Sequence, residues 1–410
     1  MELQYPSRPL RFELELTTNC MNRCSICGDS LIRTKGVYMQ EWKTIVDKIK
    51  SEIFNTQYSC SIRLTGGEPT LHPEFLDIVR YIDQMGISHG IFTTGCFDRI
   101  DYEKLFETYS KCNHFGSFLV SLHGSTAEVH ETFTKRKGSF DEACKYIKMA
   151  SNLGFAVVTN TVLTSYSANQ IEQVASLSEK LGAKATLFER LFTKDGELEP
   201  TRQQLECAIQ KVDELRGNGL PVVAAFCLPR CFSPLVKDTI KSGFEIATIS
   251  TLGEVRPSNL TPYSFGNILE QSIEDIWESD KAEFYRNNFL PQCSDCLEFR
   301  LCRGGIKHQT NEGILSFDSK IGKDSIVSKR NVSFQLNPKS RLKPNFQLIV
   351  NGSSFILACH SSTIFVNKQA LPIIDDINDS KLVAQISKKY GLEGLQFISY
   401  LHQNHFIELI

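Results

Sequence analysis

Over the first two hundred residues, short β-rich runs alternate with stretches of helical periodicity. The β-rich runs fall at Phe12 to Leu16, Ser61 to Leu64, Gly90 to Thr94, Phe118 to Leu122, Ala156 to Leu163 and Ala185 to Glu189. Between them, helical spacing of apolar residues covers Met39 to Phe54, Glu74 to Met85, Tyr102 to Cys112, Phe140 to Leu153 and Asn169 to Leu181. Strand, helix, strand in regular succession requires crossover connections, and so predicts an α/β fold with parallel strands. Polar residues gather where each strand ends: Thr17, Thr65, Thr94, Ser121, Asn160 and Glu189. In βα barrels the chemistry sits at that end.

Just past the first strand, Cys20, Cys24 and Cys27 stand in a C-x3-C-x2-C spacing. A loop after a strand can aim three thiolates at one point. Three thiolates can hold three irons of a 4Fe–4S cluster and leave the fourth open. Zinc is the competing reading, but structural zinc wants four ligands, usually in paired C-x2-C spacing. After the second strand comes Leu64-Thr65-Gly66-Gly67-Glu68-Pro69. Two glycines let a ligand approach the backbone closely, and Glu68 adds a carboxylate. An ordinary Gly/Pro turn is the alternative.

These two motifs, in this order and about one βα unit apart, resemble the radical S-adenosylmethionine (SAM) enzymes. The resemblance implies a partial (β/α)6 TIM-like barrel, and the six units counted above agree with it. It implies a 4Fe–4S cluster on Cys20, Cys24 and Cys27 whose open iron chelates the methionine part of SAM. Gly66, Gly67, Glu68 and Pro69 would line the SAM amino group. Ser117 to Gly124 looks like the family's fourth strand, which makes Ser121 a candidate SAM contact. Arg136 matches a position that approaches the SAM carboxylate; a solvated surface charge is the other reading. His123 and His130 are open between catalytic and structural roles, so no catalytic residue is assigned. The chain departs from the family pattern at Ile26, where an aromatic is usual, and at Thr93-Thr94-Gly95, where Thr-Asn-Gly is common.

A second cysteine group follows. Cys293, Cys296 and Cys302 form C-x2-C-x5-C, with Cys227 and Cys231 upstream. Together with Gly253-Glu254-Val255-Arg256-Pro257, Phe265-Gly266-Asn267 and Ile273 to Trp277, they resemble the auxiliary-cluster extension, SPASM or twitch, over residues 222 to 310. Ser258 and Ile306 stand where the full pattern has cysteines. Two full clusters need about eight cysteines, so the expectation is one auxiliary 4Fe–4S cluster. Its ligands would be Cys293, Cys296 and Cys302, with Cys227 or Cys231 as the fourth. Zinc on four thiolates is the alternative. Cys60, Cys96, Cys112, Cys144, Cys207 and Cys359 stand alone and read as small buried residues.

Residues 311–343 are polar and read as a linker. Beyond them, apolar alternation around Asn351-Gly352 is a hairpin signal. A β-rich run and three helical stretches follow (Gln369 to Ile377, Ser380 to Lys389, Leu395 to Gln403), with Ser380 as N-cap and Gly391 as helix stop. The predicted module is a winged-helix-like α+β domain. It resembles the PqqD-like recognition domains of ribosomal-peptide pathways, which implies capture of a leader peptide as an added strand. DNA binding and a structural cap are the alternatives. The expected organisation is therefore a barrel over 1–220, a cysteine-rich cluster domain over 221–310, a linker over 311–343 and a recognition domain over 344–410.

Composition narrows the function classes. A hydrophobic share of 41% and a charged share of 22% fit a globular chain of two or three domains. A net charge of -2 gives no reason to expect nucleic acid. No apolar run approaches the ~20 residues that span a bilayer, and the N-terminus lacks a signal-peptide build. The fourteen cysteines fit metal clusters in a reducing compartment, so the expected location is the cytoplasm. The resemblances imply an enzyme that modifies a ribosomally made precursor peptide, bound through its leader, by hydrogen abstraction. A crosslink is the expected product and epimerisation the alternative. A small molecule or folded protein is the rival substrate class. An electron donor such as flavodoxin or ferredoxin is the implied partner.

Overall fold

The computed structural model describes residues 5–25, 27, 36–54, 60–191, 198–236, 241–293, 296, 299–309, 315–317, 336–351, 354–359, 362–366, 368–403 and 406–410. All six expected strands are present: β1 (Arg11–Thr17), β2 (Ser61–Gly66), β3 (Ser88–Thr93), β4 (Phe115–Ser121), β5 (Val157–Leu163) and β6 (Ala185–Arg190), paired in parallel in chain order. The crossovers carry α1 (Trp42–Ile49), α2 (Phe75–Gln84), α3 (Tyr102–Ser110), α4 (Ala127–Thr134), α5 (Ser139–Asn152) and α6 (Ile171–Lys180). All but α4 carry an apolar stripe of buried residues. In β1 the alternation is plain: Phe12, Leu14 and Leu16 are buried, while Arg11 and Glu13 lie on the other face and are only partly covered.

The sheet continues past six strands. After α7 (Arg202–Gly217), which starts on a capping box of Thr201 and Gln204, β7 (Val222–Ala224) adds in parallel beside β6. On the opposite edge β8 (Ile246–Ile249) adds in parallel beside β1. Then β9 (Glu254–Arg256) and β10 (Gly266–Asn267) follow antiparallel. The order is β10-β9-β8-β1-β2-β3-β4-β5-β6-β7, with ends that do not pair, so the barrel is open. Runs of two to four residues are too short to announce themselves by periodicity.

Helices α8 (Ile273–Trp277), α9 (Asp280–Asn287) and α10 (Phe299–Cys302) complete the cysteine-rich segment. Its Phe265, Ile276 and Trp277 share one core with Phe12, Ile62 and Phe118 of the barrel. A second core lies under β5, β6 and α7. The buried Glu15–Arg256 ion pair fastens β1 to β9. No helix among the described residues is long and apolar enough to cross a membrane.

The C-terminal part has its own core. Strands β11 (Lys307–Gln309) and β12 (Leu315–Phe317) pair with each other, and β13 (Leu342–Pro344) precedes an antiparallel sheet of β14 (Gln347–Asn351), β15 (Ser354–Cys359) and β16 (Ser362–Val366). Two helical elements follow, α11 (Leu371–Asn378) and α12 (Val383–Gln403), the latter broken at Gly391 (φ 64°). Strand β17 (Ile407–Leu409) returns to pair with β13. Asn351 faces Ser354 across the expected hairpin, whose turn residues Gly352 and Ser353 lie outside the described residues.

Two local expectations are corrected. Ser380 does not cap a helix. It sits in the left-handed region (φ 53°) and its amide donates to the Ile377 carbonyl, closing α11 instead. The next helix is capped by Gln385, whose side chain accepts from the Leu382 amide at 2.8 Å. Strands β12 and β13 occupy part of the polar stretch read as a linker, and Leu342 is fully buried in the C-terminal core. Most of the remaining residues from 311 to 343 lie outside the described ones.

Candidate active site

The loops that follow β1 and β2 are stitched together backbone to backbone. The Gly67 amide donates to the Thr17 carbonyl and the Glu68 amide to the Asn19 carbonyl, both at 2.7 Å. Glycine is obligatory there. A Cβ on Gly67 would stand 1.9 Å from the Asn19 oxygen, and one on Gly66 2.4 Å from the Thr17 oxygen. The cysteine loop has a second anchor that the sequence did not reveal. The amides of Arg23 and Ser25 donate to the carbonyls of Thr134 and Phe133, at 2.9 and 2.8 Å. These carbonyls are orphans at the C-terminal end of α4, which closes on Lys135 in the left-handed region. Cys20, Cys24 and Cys27, each half-buried, thus hang between β1 and α4.

Glu68 is fully buried. Its Oε1 accepts from the Thr70 amide and hydroxyl and from Thr93 Oγ1. Its Oε2 accepts from Thr93 Oγ1 and from the Thr94 amide and hydroxyl. Burial raises its pKa and these hydrogen bonds oppose the rise. The carboxylate therefore ties the end of β2 to the end of β3. Thr94, which replaces the asparagine common in the family, serves it twice.

Ser121 ends β4 at the same rim, opposite Asn160 of β5. The Asn160 amide donates to the Glu189 carboxylate at 3.2 Å, and burial raises the Glu189 pKa. Arg136 makes a two-pronged bond to Glu142 at 2.8 and 3.0 Å. Near it, fully buried Cys96 directs its thiol at the carbonyls of Thr94 and Ser139. His130 Nδ1 accepts from the His123 amide, and His123 Nδ1 from the Val162 amide. Burial holds His130 down to about 4 and His123 below its ordinary range, so both rings are neutral struts.

The second cysteine group converges on Cys302. Burial pushes the Cys302 thiol up to about 12, and Cys231 and Cys293 are close enough to raise it further. Cys293 is pushed up to about 11, first by burial, then by Cys296 and Cys231. Cys293 thus lies near Cys231 and Cys296, and Cys302 near Cys231 and Cys293, while Cys227 lies near Tyr285. The Arg230 amide points at Cys302 Sγ at 3.4 Å. Arg303, next to Cys302 in the chain, and Lys307, near Cys293, are both buried. Arg303 pairs with Glu245, while Lys307 donates to the Tyr285 and Arg286 carbonyls. Neighbouring sulfur donors and an N–H aimed at sulfur fit a thiolate-bound iron–sulfur cluster. Ser258 and Ile306, where the fuller pattern has cysteine, are buried.

Residues 14–177 match the radical SAM superfamily model, and residues 241–297 match that of the SPASM iron–sulfur cluster-binding domain. The chain therefore carries a radical SAM domain and a SPASM domain. This radical SAM chain is 30% identical over 292 residues to the antilisterial bacteriocin subtilosin biosynthesis protein AlbA of Bacillus subtilis, covering 66% of the chain and 60% of AlbA. It is 25% identical over 322 residues to the AdoMet-dependent heme synthase of Methanosarcina barkeri, covering 71% of the chain and 89% of that protein. Its fold is similar to that of Streptococcus suis SuiB bound to precursor peptide SuiA, with a TM-score of 0.61 at 16% identity, over 74% of this chain and 72% of SuiB. The radical SAM match runs from within β1 into α6, and the SPASM match covers the segment from β8 to Cys296.

Proposed function

We propose that this chain matures a ribosomally synthesised precursor peptide by radical SAM chemistry, forming an intramolecular crosslink. The observation that carries the proposal is the stitching of the Cys20–Cys27 loop to Gly66–Glu68. It sets a three-thiolate loop against a glycine-lined backbone at the carboxyl end of a parallel sheet. Cys20, Cys24 and Cys27 would hold the first cluster, and Cys231, Cys293, Cys296 and Cys302 the auxiliary one. When bound, the cluster and SAM supply hydrogen-atom abstraction from an unactivated carbon. The chain's own part is placement. Gly66, Gly67, Glu68 and Pro69 shape the seat for the SAM amino group, with Ser121 and Arg136 at its margin. Glu68 holds β2 and β3 in register beneath that seat.

Two features favour a crosslink over epimerisation. An auxiliary cluster can take up the electron that net oxidation releases. Cys96, at a strand end and so the lone cysteine best placed to return a hydrogen atom, is fully buried against two carbonyls. A peptide substrate is supported by AlbA, named for bacteriocin biosynthesis, and by β14. That strand lies at the edge of its sheet and exposes Leu348, Ile349 and Val350. Such an edge accepts an extended leader through backbone hydrogen bonds. The rival, a small-molecule substrate, draws on the likeness to a heme synthase. We place the enzyme in the cytoplasm, reduced by a flavodoxin- or ferredoxin-type donor.

Mass spectrometry of a precursor peptide encoded beside this chain tests the proposal. Anaerobic turnover with SAM and reductant should remove two hydrogens from the core segment. An unchanged mass with inverted stereochemistry would mean epimerisation. An untouched peptide in an assay that cleaves SAM would move the substrate to the small-molecule class.

A further inference from the structure

At the opposite end of the barrel from the cysteine loop, three side chains of different chemistry meet. They are Asp83 at the end of α2, His89 in the first turn of β3 and Cys112 just past α3. A carboxylate oxygen, a ring nitrogen and a sulfur, one from each, lie within 4.8 Å of one another. Cys112 stands alone in the sequence, and His89 is the second residue of β3.

The hydrogen bonding around this trio is that of a prepared ligand set. His89 is 2% exposed. Its Nδ1 faces the Ile87 carbonyl at 3.1 Å, which fixes the proton on that nitrogen. Nε2 is buried with no hydrogen-bond partner. An orphaned, buried, unprotonated ring nitrogen is costly unless something binds it. A backbone carbonyl on one ring nitrogen, with the other left for the metal, is how metal-bound histidines are usually oriented. The Asp83 carboxylate is oriented too: Oδ1 accepts from the His114 amide at 2.7 Å and Oδ2 from the Asn113 amide at 3.1 Å, leaving a lone pair on each. Cys112 Sγ makes only a long contact of 3.5 Å with the Thr108 carbonyl.

We propose that Asp83, His89 and Cys112 bind a zinc ion, separate from both iron–sulfur sites. Mixed imidazole, thiolate and carboxylate donors suit zinc. Three ligands leave one position, which a water fills from the solvent side. Binding releases the Cys112 thiol proton. The ion staples the ends of α2 and α3 to the start of β3, where no chemistry takes place.

Zinc K-edge absorption spectroscopy on the anaerobically purified full chain reads this site without interference from iron. The expected result is about one zinc per chain, with one sulfur neighbour at ~2.3 Å and nitrogen or oxygen neighbours at ~2.0–2.2 Å. Cys112→Ser and His89→Gln should each lose most of that zinc while keeping the wild-type iron content and SAM cleavage. Four sulfur neighbours would put the zinc in the Cys231–Cys302 group and overturn the proposal. So would zinc content unchanged in both variants, zinc removed by brief desalting against a weak chelator (an adventitious ion only), or a wild-type protein without zinc. Wild-type spectroscopy decides the matter even if a variant fails to fold.

Discussion

At the scale of single residues, Glu68 meets two demands at once. The motif suggests a carboxylate beside the SAM ammonium, and the structure occupies both of its oxygens with Thr70, Thr93 and Thr94. Glu68→Ala would leave those donors buried without an acceptor, at a cost of about 1–3 kcal/mol. It should weaken SAM binding at least tenfold while iron content stays at the wild-type level. Equilibrium dialysis with metal analysis checks both, and wild-type affinity would refute the assignment. His130 gives a pH prediction. Its folded pKa of about 4 lies below the ordinary 6.5, so the unfolded chain binds the proton first. The neutral ring's contribution is complete above pH 6.5 and is lost as the pH falls toward 4. His130→Asn keeps an acceptor for the His123 amide. Its stability, from urea titrations, should fall less steeply than the wild type's between pH 6.5 and 4.

At the scale of elements, the loop after β2 leaves no room for a side chain. Gly67→Ala would drive a methyl into the Asn19 carbonyl and push the two loops apart. The variant should fold, since the clash is confined to the rim, but should lose about four irons per chain. Retention of all its iron would show that the loop tolerates the shift. The long βα units were legible in the sequence because each strand and helix is long enough to carry its period. Helix α4 was not, although Thr126 caps it and its last carbonyls hold the cysteine loop. It has eight residues, only three of them buried, and no apolar run. The pairing of Arg256 with Glu15 was equally hidden, because nothing local in either strand points to the other. Arg256→Met would leave Glu15 charged and buried, at a cost of about 3–5 kcal/mol, measurable as a lowered denaturation midpoint.

At the scale of the whole molecule, the cysteine groups were legible as spacings, but the nearness of Cys231 to Cys293 and Cys302 appears only in three dimensions. The C-terminal module was legible as a hairpin and helices, not in its boundary. Since β13 pairs with β17, a cut at residue 346 would strand half of a sheet, and a clean deletion starts before Leu336. A chain ending at 335 should still cleave SAM without peptide, yet modify a leader-bearing peptide at less than a tenth of the full-length rate. Equal rates would refute leader capture. The place of β8 has a consequence for how the protein is made. Thr248 of β8 reaches back to Glu13 of β1, 235 residues earlier in the chain. Until residue 249 leaves the ribosome, the strand that leads into the cysteine loop stays an open edge, able to pair with any other nascent strand. Iron delivered before β8 has emerged would meet this loop on an unfinished sheet, so productive loading belongs after β8 has paired, or under a chaperone that covers that edge.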